Sequence, residues 1–203
     1  DKGIFNPDGG TNGKDPKSGR ALTDIEKHYI KKYGATIEGI DSLVTSIGSA
    51  ESNNQNIRQI TDEDVKEKRV GKSGGTGPAT GLFQIEPDRL KTGLQRAVNF
   101  SKIKGTKVPD WVVNAKEKIA KGESFEAMDL TPEQQTELML IDIAMGKGSD
   151  DLLNESFAGG RANIGSMGKV WRDIWHVGPA DRRENEDWKK ERLTYWESKT
   201  RKS

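Results

Sequence analysis

The 203-residue chain contains no cysteine, which excludes a disulfide framework and any thiolate metal site. Aromatic residues make up only 6% of it and gather late, with Trp171, Trp175 and Trp188 close together and Trp196 just beyond. The C-terminal end is therefore expected to supply part of the core. No apolar run approaches membrane-spanning length. The sequence shows no signal-peptide pattern and starts at Asp1 rather than Met, as expected of a processed secreted enzyme or a module cut from a larger polypeptide. An excess of one charge is also missing. Lys and Arg number 33 and Asp and Glu 32, for a net charge of +1. With the two signs mixed throughout, the concentrated basic face of a nucleic-acid binder is not expected. Charged residues at 32% and a mean hydropathy of -0.83 indicate a soluble protein with a modest core.

Strand-like alternation is scarce, so the fold class is mainly α, with room for a small β-hairpin near a glycine-rich segment. Residues 1–20 are rich in Gly, Asn, Asp, Pro and Lys and read as an arm or linker. Residues 21–203 read as a single domain. Thr23 and Glu26 have the spacing of a capping box. Ile25, Tyr29 and Tyr33 then share a helical face that Gly34 ends. Ile37, Ile40, Val44 and Ile47 define the apolar stripe of a second helix, and Glu51 continues it. Residues 52–80 form a polar segment with Gly71, Gly74, Gly75 and Gly77, expected to be a loop with a short helix near Asp62–Arg69. Leu90, Leu94 and Val98 after Pro87 predict a helix, and Trp111–Ala120, capped by Asp110, another. Thr131-Pro132-Glu133-Gln134 is a helix start with a capping box, running through Leu138, Ile141 and Met145 to Gly146. Two further helices are expected near 168–176 and 184–199.

Three segments carry the chemistry: Ala50-Glu51-Ser52-Asn53, Gly81-Leu82-Phe83-Gln84-Ile85, and Asn163-Ile164-Gly165 with Gly168-Lys169-Val170 following. In this order they resemble the lytic transglycosylases of the lysozyme superfamily, with Thr194-Tyr195 a loose match to that family's closing segment. The resemblance implies a lysozyme-like domain acting on peptidoglycan, with Glu51 as its catalytic acid/base and no cofactor. It implies substrate contacts from Ser52, Gly81, Phe83, Gln84 and Asn163 across a cleft formed with residues 157–170. Phe83 replaces the family's methionine and is expected to stack on a sugar face. In that family one Glu protonates the glycosidic oxygen and then assists attack by the sugar's own 6-hydroxyl, leaving a 1,6-anhydro end. The chemistry agrees with the residues. A carboxyl partly buried among apolar side chains has its charged form disfavoured, which keeps a proton available for the leaving group.

Two departures stand out. Glu51 and Gly81 are 30 positions apart, longer than the family spacing, which implies an insertion. The family's tyrosine falls on Ala162, leaving Phe157, Tyr195 or His176 to fill that space. A helix-end carboxylate is ordinarily a surface group, and Glu51 stands out only together with the Gly81–Ile85 segment. Asn163 and Gly165 also suit a turn with a capping role, and the tryptophans suit the core. An inverting hydrolase would need a second carboxylate, from Asp62, Glu63, Asp64 or Glu86. A non-catalytic virion or wall-binding protein is the alternative from another class. Gly71-Lys72-Ser73 has the ending of a P-loop, but Lys66 stands where the first glycine belongs. His28 and His176 have no ligand spacing, so no metal is expected. The expected partners are peptidoglycan strands, with other virion proteins if the chain opens the wall during phage DNA entry. The expected setting is a phage particle, or alternatively the bacterial periplasm or exterior.

Overall fold

The computed structural model describes residues 13–58, 79–177 and 180–201. Outside them lie most of the expected arm, most of the glycine-rich segment including Gly71-Lys72-Ser73, the helix expected at Asp62–Arg69, and the carboxylates Asp62, Glu63 and Asp64. The described chain is mainly helical with one short antiparallel strand pair, as the sequence predicts. Where a single domain over 21–203 is expected, the contacts divide the chain into two compact units. One is built from the chain up to Ser46 and from Gly146 onward, and the other is Ile47–Met145.

In the first unit, the described residues ahead of Thr23 already hold a defined turn. Asp15 closes a tight turn by accepting from the Lys17 amide at 2.9 Å and the Ser18 hydroxyl at 2.5 Å. Helix α1 (Asp24–Tyr33) starts on the expected box, with Thr23 and Glu26 bonded reciprocally, and stops at Gly34 in the left-handed conformation. Glu26 is buried and also accepts two bonds from the Arg20 guanidinium, at 2.6 and 3.0 Å. Burial pushes the Glu26 carboxyl up, but the bonds from Arg20 and from Thr23 outweigh it and hold it below the usual range. A depressed carboxylate stabilises the fold above its unfolded pKa and loses that contribution as pH falls through its folded value. Glu26→Gln should therefore cost about 1 kcal/mol at neutral pH. Thermal melts should show that gap closing below about pH 4.

Helix α2 (Ile37–Ser52) follows, its first part in this unit. Helix α6 (Ser149–Ser156), between Gly148 and Phe157, was not expected from the sequence. Tyr33 donates to Asp150 at 2.8 Å, tying α1 to it. The helix expected at 168–176 is two pieces, α7 (Ile164–Val170) and a π-helical turn (Trp171–Trp175). The helix expected at 184–199 is α9 (Glu186–Thr200), and a short helix α8 (Ala180–Arg183) precedes it. Trp171, Trp175 and Trp196 are core residues, whereas Trp188 is half-buried. Trp196 stacks on Trp171 with ring centres 5.6 Å apart and lies across Gly168, where a Cβ would come within 2.7 Å of its ring.

The second unit holds the end of α2, strands β1 (Ile57–Arg58) and β2 (Thr80–Gly81), and helices α3 (Pro87–Lys104), α4 (Asp110–Ala120) and α5 (Pro132–Ala144). The strands pair with Ile57 opposite Gly81 and Arg58 opposite Thr80. Asp110 is the first residue of α4 rather than its cap, because it pairs with exposed Lys107 at 2.8 Å instead of the helix amides. The Thr131–Gln134 box opens α5 as expected. Helix α3 packs on α5, where the Asp142 side chain, 3% exposed, accepts from Arg89 at 2.8 Å and Arg96 at 2.7 Å.

Candidate active site

The last turn of α2 carries Glu51. The deepest line of this helix is Ile40, Leu43, Ile47 and Ala50. Val44, expected in the stripe, is half-buried instead. Glu51 follows Ala50 by one residue, about 100° around the helix, and so sits on the flank of the buried face. Its side chain is half-buried, which places the carboxyl at the boundary between core and water.

Beyond the helix the backbone is unusual. Asn53 and Asn54 both adopt left-handed conformations, φ 54° and 58°. Asn54 folds back over the helix end, donating its amide to the Gly48 carbonyl at 3.0 Å and its side-chain amide to Ser49 Oγ at 2.7 Å. Gly48 leaves room for this placement, since a Cβ there would lie 2.2 Å from Asn54 Oδ1.

The Gly81–Ile85 segment is a tight turn closed by paired bonds between Thr80 and Ile85, at 2.9 and 3.2 Å. Leu82 is held from both sides. Its N–H donates to Gln135 Oε1 at 2.8 Å, and its carbonyl accepts from Ser52 Oγ at 2.7 Å. Ser52 therefore ties the turn directly to the helix end that bears Glu51. Gly81, at φ 86°, is required for two reasons: its conformation, and the 2.4 Å that would separate a Cβ from Gln135 Oε1. Gln84, also left-handed at φ 50°, donates to the Gly81 carbonyl at 2.8 Å and the Ile57 carbonyl at 3.1 Å. Its Oε1 is buried with no hydrogen-bond partner. Asn53, Asn54 and Gln84 are the non-glycine positive-φ residues of the described chain, and all three border this one place. Such conformations cost about 1–3 kcal/mol each and concentrate where a site is held in fixed geometry.

The structure thus brings Glu51, Ser52, Gly81, Phe83 and Gln84 together within one unit. Ser52 is 5% exposed with its hydroxyl engaged by Leu82, so its place is in anchoring the turn. The Phe83 ring is fully buried and packs beside Gly48, which corrects the expectation that it stacks on a sugar. Asn163 belongs to the other unit, exposed, with its side chain capping α7 by accepting from the Ser166 amide at 3.2 Å. Of the candidates for the tyrosine's space, Phe157 is a core residue packed edge-on against Tyr29, while Tyr195 and His176 stack on Trp171.

Gln135 escaped sequence reasoning. It is fully buried, and besides holding Leu82 it donates to the Leu130 carbonyl at 2.9 Å and Asn56 Oδ1 at 3.1 Å. The signal was present: Gln135 falls on the buried face of α5 with Leu138 and Asp142, a polar residue in an apolar stripe. Gln135→Met keeps the volume and strands the Leu82 N–H, so it should cost about 2 kcal/mol in a urea melt. A loss near zero would mean that the turn finds another acceptor.

Glu86 is half-buried at the start of α3 and makes no side-chain capping bond there. Glu126 forms an ion pair with Arg58 of β1. Among the described residues no group of three or more His, Asp or Glu is placed to hold a metal ion. No protein-family model, curated protein or solved structure matches the chain.

Proposed function

We propose that this chain cleaves the glycan strands of peptidoglycan as a lytic transglycosylase, with Glu51 as its single acid/base. The observation that carries the reading is the pinning of a strained, glutamine-bearing turn onto the helix end of a half-buried glutamate. In the first step the Glu51 carboxyl gives its proton to the glycosidic oxygen as the bond to C1 breaks and positive charge builds on the sugar ring. In the second, the Glu51 carboxylate takes the proton of the sugar's 6-hydroxyl as that oxygen bonds to C1. The enzyme returns to its starting state, and no water is consumed.

A second reading is favoured by Glu86, half-buried immediately after the turn. An inverting hydrolase would use it to activate water. Mass spectrometry of products released from purified sacculi separates the two. Ends in 1,6-anhydro-N-acetylmuramic acid support transglycosylation, and reducing ends carrying label from heavy water support hydrolysis. No release from folded protein would leave a wall-binding protein without chemistry.

A further inference from the structure

The near-neutral net charge conceals a local excess. Residues 87–122, comprising α3, its loop and α4, carry nine Lys or Arg against three Asp or Glu, a local charge of +6 where the chain totals +1. Arg89 and Arg96 are turned to Asp142. Seven lysines remain, from Lys91 to Lys121; all but Lys116 are exposed, and of these Lys107 also pairs with Asp110.

Apolar surface lies among these cations. A groove of about 620 Å³ between α3 and α4 is lined by Leu94, Val98, Val108, Val113 and Ile119, with Lys91, Lys116 and Glu117 completing it. Val113 is 40% exposed. Ile103, at 71%, is the most exposed large apolar side chain among the described residues, and Lys102 and Lys104 flank it in sequence. A soluble polyanion would neutralise the lysines but leave the groove and Ile103 in water. A neutral apolar partner would cover the groove and leave the lysines unmatched. The charge and the apolar surface are both complemented at the face of an anionic bilayer, where phosphates lie just above an acyl layer.

We propose that the α3–α4 hairpin docks on a bilayer surface bearing anionic lipids, its lysines against the phosphates and Ile103, Val113 and the groove at the acyl boundary. This does not rest on the glycan-cleaving reading.

Co-sedimentation of the full chain with vesicles tests it. The protein should pellet with vesicles of roughly one-third phosphatidylglycerol and stay in solution with pure phosphatidylcholine. Ile103→Ser with Val113→Ser should weaken binding about tenfold or more. Lys102→Glu, Lys104→Glu and Lys107→Glu together should abolish it. All five positions are exposed, and melting curves verify that the variants stay folded. Failure to pellet with anionic vesicles overturns the proposal, as does equal binding to phosphatidylcholine. Binding that survives the Ile103 and Val113 changes and is displaced by duplex DNA also overturns it, making the hairpin a polyanion site instead.

Discussion

Glu51→Gln should lower glycan release from sacculi by about 10³-fold while leaving the melting temperature nearly unchanged. The glutamine has the shape of the glutamate but no proton to deliver, and general acid–base catalysis by a placed carboxyl contributes about 10²–10⁴-fold. Because Glu51 stands on the flank of the α2 stripe and not in its deepest line, removing its charge leaves core packing intact. Comparing Glu51→Gln with Glu86→Gln assigns the mechanism. A transglycosylase loses activity at Glu51 alone, and an inverting hydrolase loses it at both. Near wild-type release from Glu51→Gln would end the proposal that this residue is the acid.

The largest stability effect is expected at Asp142. Its carboxylate, 3% exposed, is shared by Arg89 and Arg96, whose side chains are 28% and 33% exposed. Asp142→Ala leaves two guanidinium groups facing each other over a cavity, with no anion between them. Removing one member of a buried charged cluster costs about 3–5 kcal/mol, and the contact that both arginines keep with water places this case near 3. The melting temperature should drop by roughly 6–12 °C for a chain of this size. Replacing Arg89 and Arg96 with methionine in the Asp142→Ala background should recover part of the loss, since the repulsion goes with the charges. A drop under about 2 °C would mean that the cluster contributes little.

What was legible in the sequence was mostly local. The boxes at Thr23 and Thr131 and the stop at Gly34 depend on residues within one turn of each other, and the helices begin and end where those residues indicate. In the apolar stripe of α2, Ile37, Ile40 and Ile47 are buried as expected, and only Val44 gives its place to Leu43. Four-residue spacing cannot distinguish the centre of a buried face from its edge, and Glu51 lies half-buried on that edge. Helix α6 was missed because its apolar residues, Leu152 and Leu153, are adjacent rather than spaced by a turn.

The candidate site was half legible. Glu51 and the turn at 81–85 stand out in the sequence, but the bonds that hold them in place come from Ser52, Asn54 and Gln135. Gln135 lies 53 positions beyond Leu82 in the chain, so no local pattern joins them. The resemblance puts Phe83 at the substrate, but its ring is buried completely by its neighbours. The basic hairpin was hidden for the opposite reason: charge averaged over the whole chain cancels, and only the boundaries of α3 and α4 show which residues to count together.

The division of the chain bears on how it is made. The unit Ile47–Met145 is continuous, whereas the other is assembled from segments on either side of it. During synthesis, α1 emerges before the partners it packs on, α6 and Phe157, which come more than a hundred residues later. The inner unit can close in that interval, before the later segments of the outer unit have been made. Until then Ile25, Tyr29 and the early turns of α2 present apolar faces without their partners. That is the interval in which the nascent chain is most open to aggregation and to capture by chaperones.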